Sequence, residues 1–205
     1  DKSEYDPIGV LGIDLGIENI AVDSDRQIFE SKKVENTRQR YSRLRSTLQH
    51  VATKSAKRKL KKLSGKERRF KKDINHVISK AIISKAKGTA RAIGIENLKH
   101  IRSRVTVRRS QRDRHSKWAF GELRNFVTYK AKREGVPLRV VNSKNTSREC
   151  PECQYIDKRN RKTQNQFECL QCGYKEMADY VAAVNIAARA AVKQPIVGET
   201  LISTY

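Results

Sequence analysis

Acidic side chains are scarce in this chain: 22 Asp and Glu stand against 45 Lys and Arg, for a formal net charge of +23. Solubility asks for far less, so the excess points to a polyanionic partner. Long apolar runs are missing as well. None approaches the roughly eighteen residues of a membrane-spanning helix, and no lipidation signal is present, so the sequence predicts no membrane partner and favours nucleic acid. The opening residues, Asp1-Lys2-Ser3-Glu4-Tyr5-Asp6-Pro7, hold neither the charged nor the apolar stretch of a secretory signal. The expected setting is therefore reducing and cytoplasmic, in association with the nucleoid. There, four clustered cysteines bind metal more often than they form disulfides. A length of 205 residues suits one ordinary domain with a small appended module.

Ile8 to Leu15 reads as a mostly apolar strand, Gly16 as a turn and Asn19 to Asp23 as a second strand. Arg26 to Ser31 follows the turn at Ser24-Asp25 and completes an antiparallel meander. Residues 37–87 read as an inserted pair of basic helices broken at Ser64-Gly65. In the second helix Phe70, Ile74, Val77, Ile78, Ala81 and Ile82 make one apolar face, and in the first Tyr41, Leu44, Leu48 and Val51 make a narrower stripe. Lys54, Lys57, Arg58, Lys59, Lys61 and Lys62 have too few acidic partners to be only a solvated face, so Lys57, Arg58 and Lys61 are candidate nucleic-acid contacts. Ala90 to Glu96 reads as a buried strand. Asn97 to His115 is a basic loop in which Arg104, Arg108, Arg109 and Arg112 are further candidates. Ser116 is a plausible cap for a helix reaching Glu134, ended by Gly135 and Pro137. Its aromatics, Trp118 and Tyr129, are expected in the core more than at a stacking surface. Leu138 to Asn142 is the last expected strand, and Ala178 to Val192 an alanine-rich helix.

Between these last two elements lie Cys150-x2-Cys153 and Cys169-x2-Cys172, separated by fifteen residues. Two such knuckles present four thiolates to one tetrahedral zinc ion. With no histidine nearby and no open coordination position, the zinc is expected to hold structure and do no chemistry.

Asp14 ends an apolar strand, an expensive place for a charge unless a cation compensates it. Glu96 repeats the situation. Asp179 lies near the start of the last helix, where a carboxylate also has a plain helix-terminal role. Singly these are turn or cap residues as often as functional ones. Their order is that of an RNase H-like nuclease: Asp on the first strand of a meander, Glu at the end of a later strand, Asp on the last helix. Such oxygen ligands suit Mg2+ or Mn2+.

At this point the chain resembles the TnpB (OrfB) proteins of insertion sequences, relatives of the type V CRISPR effectors. Gly12-Ile13-Asp14-Leu15-Gly16-Ile17-Glu18-Asn19 resembles the family's first motif, Ile95-Glu96-Asn97-Leu98 its second, and Asp179-Tyr180-Val181-Ala182-Ala183-Val184-Asn185-Ile186 its third. Tyr129-Lys130-Ala131 and Thr146-Ser147 are also similar to family segments. Val181 replaces a usual asparagine and Gln154 a usual glycine. The resemblance implies an α/β fold, an RNase H-like (RuvC-type) mixed sheet with a helical-hairpin insertion and a four-cysteine zinc ribbon. Residues 8–147 and 177–193 would form the nuclease domain, 148–176 the ribbon and 194–205 a tail. It further implies RNA-guided, metal-dependent DNA cleavage with guide RNA and target DNA as partners, and Asp14, Glu96 and Asp179 as catalytic ligands of Mg2+ or Mn2+. The barrel and recognition region that usually precedes the first motif is expected to be missing from this chain, which reads as the nuclease half. Two rival expectations are an inactive zinc-ribbon regulator that binds DNA or RNA, and a strand-transferring DNA transposase with the same acidic trio.

Overall fold

The computed structural model describes residues 5–16, 18–97 and 120–192. Its centre is a five-stranded sheet of order β3-β2-β1-β4-β5. The strands are β1 (Val10–Asp14), β2 (Asn19–Asp23), β3 (Ile28–Glu30), β4 (Ala92–Glu96) and β5 (Leu138–Val141). The first three form the expected antiparallel meander, whereas β4 and β5 run parallel to β1. A parallel neighbour requires a crossover, and between β1–β3 and β4 the chain supplies α1 (Lys32–Val51) and α2 (Lys54–Gly88). Helix α3 (Phe120–Glu134) precedes β5, and α4 (Ala178–Ala191) ends the described chain. A two-stranded ribbon, β6 (Gln166–Glu168) with β7 (Lys175–Met177), stands between β5 and α4. Among the described residues no helix is long and apolar enough to cross a membrane.

The helical pair breaks elsewhere than its sequence suggests. Helix α2 runs unbroken through Ser64 and Gly65, and the break falls at Ala52 and Thr53. A lone glycine weakens a helix by about 1 kcal/mol but does not stop it. A left-handed residue followed by a side-chain cap does: Ala52 has φ 55°, and the Thr53 hydroxyl accepts from the Ala56 amide. The expected stripe on α1 is likewise not core, since Leu44 and Val51 are exposed and the buried residue is Val34. On α2 the buried face holds Ile78, Ile82, Ile83 and Ala86 while Val77 points to solvent. Leu63 and Ala56, buried near the start of α2, and the Arg45–Glu67 ion pair at 2.6 Å accompany the α1 contact.

Alternation along the strands separates two faces. Leu11, Ile13 and Ile93 are fully buried with residues of α2 and α3. Gly12 and Gly94, partners in the β1–β4 register, turn the other way and meet α4. A Cβ on Gly12 would lie 2.0 Å from the Ala183 carbonyl oxygen and 2.6 Å from the Ala187 amide nitrogen. On Gly94 it would lie 2.9 Å from the Ala190 Cβ. Helix α4 therefore seats almost backbone to backbone on β1, and its alanines are small for the same reason. By the same alternation Asp14 and Glu96, two residues beyond these glycines, emerge on the α4 side.

The geometry sets an expected outcome for Gly12→Ala. The new methyl meets backbone that cannot swing aside, so the helix must lift, at a cost of about 3 kcal/mol, measurable as a lower midpoint in urea denaturation.

Candidate functional site

Asp14 and Glu96 end the paired strands β1 and β4, Asp179 lies in the first turn of α4, and the charges of Glu96 and Asp179 both act on Asp14. Asp14 is partly buried, and burial is the first cause of a carboxyl pKa held well above its ordinary value. The neighbouring Glu96 and Asp179 carboxylates push it further up, while Arg161 and the Leu15 amide pull it down. Glu96 is also raised, again chiefly by burial, against the lowering effects of a hydrogen bond from Thr146 and of the Arg189 and Arg161 charges. Asp179, 4% exposed, accepts a hydrogen bond from Asn19 Nδ2 at 3.0 Å, and Arg161 Nη2 lies 3.5 Å from its other oxygen. Three carboxylates crowded at one edge of a sheet repel one another, and a divalent cation relieves that repulsion better than one guanidinium can.

Arg161, Thr146 and Asn19 carry no individual sequence signal. Arg161 belongs to a run of basic residues inside the ribbon, and only the folded chain brings it to Asp179. Thr146 lies in a motif that resembles a known family, but nothing in that motif says that its hydroxyl meets Glu96.

The four cysteines meet as their spacing predicts. Their sulfurs lie within 4.8 Å of one another, with Cys150–Cys172 at 3.6 Å and Cys153–Cys169 at 3.5 Å. A tetrahedral zinc with bonds near 2.3 Å requires sulfurs about 3.7 Å apart, so the quartet fits the ion. The two knuckles repeat one geometry. The Gln154 amide donates to the Cys150 carbonyl at 2.9 Å and the Gly173 amide to the Cys169 carbonyl at 3.0 Å. Both turn residues are left-handed, with φ 61° at Gln154 and 75° at Gly173, so Gln154 bears a strain of about 1 kcal/mol that glycine would not. Val181 is fully buried against Cys150, Phe167 and Cys169, an apolar contact that suits valine. Burial pushes the Cys150 thiol up to about 12. At Cys169 burial acts in the same direction, but the Cys172 and Gln171 amides outweigh it and bring the thiol to about 7.

Of the candidate nucleic-acid contacts, Lys57, Arg58 and Lys61 are exposed on the first half of α2. Arg104, Arg108, Arg109 and Arg112 lie outside the described residues, as do Trp118 and Ser116. Tyr129 is not core: it is 43% exposed and stands edge-on to Phe126, whose ring stacks on His76 at 4.1 Å.

A five-stranded mixed sheet with acidic residues at one end and a four-cysteine ribbon beside them defines a class of α/β protein with a metal-knuckle appendage. Comparison with known proteins narrows it. Residues 4–102 match a family described as "Probable transposase" (OrfB, IS605), and residues 120–186 match the "Cas12f1-like, TNB domain" family. A TnpB-like protein of Methanocaldococcus jannaschii is 31% identical over 86% of this chain and 67% of its own length. A CRISPR-associated endodeoxyribonuclease Cas12f1 of Syntrophomonas palmitatica is 31% identical over 84% of this chain but only 37% of its own length. The structure of a CRISPR-Cas12f ternary complex matches with a TM-score of 0.71 at 26% identity, over 91% of this chain and 40% of that one. A Cas12f1-sgRNA-target DNA complex shares the fold with a TM-score of 0.72 at 24% identity, over 91% and 51%. The chain belongs to the TnpB (OrfB) family.

Two outcomes follow from the site. Elemental analysis should find about one zinc per chain, lost in Cys169→Ser together with much of the ribbon's thermal stability. Asp14→Asn should melt higher than the parent protein in the absence of divalent metal. The folded-state pKa of Asp14 is raised, so its stabilising contribution is present below the unfolded value of about 4 and is lost as pH rises through the folded value. Asparagine does not titrate, so its advantage should be large at pH 8 and shrink as pH is lowered toward 4.

Proposed function

We propose that this chain carries the nuclease site of an RNA-guided, metal-dependent DNA endonuclease, with an RNase H-like (RuvC-type) sheet as its scaffold. The observation that carries the reading is the convergence of Asp14, Glu96 and Asp179 at the strand ends, where burial raises the pKa of Asp14 and Glu96 and the two neighbouring carboxylates raise that of Asp14 further. The chain spans 37% of the Syntrophomonas relative and 67% of the Methanocaldococcus relative. Guide RNA and target DNA therefore come to it as proposals from the named complexes.

In this reading Asp14 would be the ligand common to two ions, with Glu96 completing one side and Asp179 the other. Among the described residues, the cysteine quartet is the group that brings three or more ligand atoms to within 4.8 Å of one another. The acidic trio is more open. That openness fits two ions better than one, because ligands on the outer sides of an ion pair need not approach each other. Bound there, paired Mg2+ or Mn2+ would lower the pKa of water and neutralise charge on the scissile phosphate and the departing 3′ oxygen. Asn19 fixes one oxygen of Asp179 and leaves the other toward Arg161. Arg161 is placed to neutralise phosphate charge as well as carboxylate charge. The exposed Lys57, Arg58 and Lys61 supply phosphate contacts that position a strand without reading its sequence. Base pairing with the guide would supply the choice of target.

The test is cleavage of DNA complementary to the co-purifying RNA. Cutting should require Mg2+ or Mn2+ and fall to background in Asp14→Ala, Glu96→Gln and Asp179→Ala, while RNA binding persists and weakens steeply with salt. Undiminished cutting by Asp14→Ala would defeat the assignment. Joined rather than hydrolysed DNA ends would indicate strand transfer instead.

A further inference from the structure

We propose that Thr146 is a positioning residue for Glu96, and that Asn185, on the same helix as Asp179, holds Thr146 in place. The inference rests on the reading of the acidic trio as a metal-dependent site and concerns how that site keeps its shape.

Thr146 lies in the segment between β5 and the first knuckle and is 4% exposed. Its hydroxyl has one proton and two acceptors within reach, Glu96 Oε1 and the Ser143 carbonyl at 3.2 Å. The Glu96 contact is the shorter, and an anionic acceptor takes the proton more strongly than a neutral carbonyl. One oxygen of Glu96 is thereby tied down. A carboxylate at the end of a strand otherwise rotates about three side-chain bonds, and this tie restricts that freedom at the place where orientation matters.

Thr146 is itself gripped by α4. The buried Asn185 amide donates its two N–H bonds to the Thr146 carbonyl and the Glu149 carbonyl, both at 2.8 Å. One turn further along, Arg189 donates to the Asn142 carbonyl at 2.9 Å, the Lys144 carbonyl at 2.7 Å and the Glu149 carboxylate at 2.5 Å. Helix α4 thus carries Asp179 directly and controls Glu96 through Asn185 and Thr146. Glu149 adjoins Cys150, so the same amide fastens the root of the ribbon. The two outer carboxylates of the trio are both referenced to one rigid helix, and so move together or not at all.

The test uses the zinc-loaded protein and Mn2+ alone as probe, with free Mn2+ read by its paramagnetic resonance signal. Thr146→Val, which keeps the branched shape but loses the hydroxyl, should weaken Mn2+ binding about tenfold or more, the usual effect of removing a ligand's hydrogen-bond partner. Thr146→Ser, which keeps the hydroxyl, should bind within about twofold of the parent. Zinc content and melting temperature should be unchanged in Thr146→Ser. If Thr146→Val does not fold, Thr146→Ala, which puts no methyl against the carboxylate, must show the same loss. In cleavage, raised Mn2+ should restore the rate of the Val or Ala variant but not that of Asp14→Ala. Parent-like Mn2+ affinity without the hydroxyl, or failure of serine to rescue, overturns the positioning role while leaving the site assignment intact. Equal Mn2+ binding by Asp14→Ala and the parent overturns the site assignment itself, and the positioning role with it.

Discussion

The backbone of α4 rests on Gly12 with no room for even one methyl group between them, and the acidic end of the sheet depends on that contact. Because the side of the sheet under α4 carries glycine at the paired positions 12 and 94, the helix descends far enough for Asp179 to reach the ends of β1 and β4. A sheet with ordinary side chains there would hold the helix farther off, and the three carboxylates would no longer repel one another. The opposite face is filled conventionally by Leu11, Ile13 and Ile93 against α2 and α3. The two faces thus divide the work: one supplies apolar burial, the other close approach.

Close approach has an electrostatic cost. Asp14 is pressed upward in pKa by burial and by its two acidic neighbours, and among the described residues of a chain with a large cationic excess only Arg161 comes within ion-pair reach of the trio. The abundant positive charge is instead spread over exposed helix surface, where it is cheap to keep and available to phosphate. Carboxylates left underneutralised in this way cost stability. The ribbon bears on that cost. It supplies Arg161 to one carboxylate, and its root is pinned by the same Asn185 that holds Thr146 against another. The four-cysteine cluster is thereby mechanically joined to the acidic trio.

What local pattern could reveal was the element list and the ligand types. The mostly apolar strands, the meander, the apolar face holding Ile78 and Ile82 and the cysteine spacing are all properties of short windows, and each reappears in the structure. The break between α1 and α2 was misplaced because Gly65 is a visible weak signal, whereas Ala52 takes a left-handed conformation that no alanine advertises. Leu44 and Val51 have the spacing of a core stripe, but among the described residues α1 packs chiefly on α2 and leaves them in solvent. Tyr129, expected inside because aromatics on helices are usually buried, stands at the surface, because its helix turns Phe126 and not Tyr129 toward α2.

By itself the sequence determined which residues could ligate metal, which strands would pair in the meander, and how large the cationic excess is, since spacing, apolar runs and charge are written in the chain one after another. Only the tertiary structure decided that Asp14, Glu96 and Asp179 share one place, that Arg161 arrives there from the ribbon, and that Thr146 and Asn185 hold Glu96. Asn19 and Asp179, hydrogen-bonded at that place, are 160 positions apart, and the strength of such contacts depends on distance in space, which no local pattern encodes.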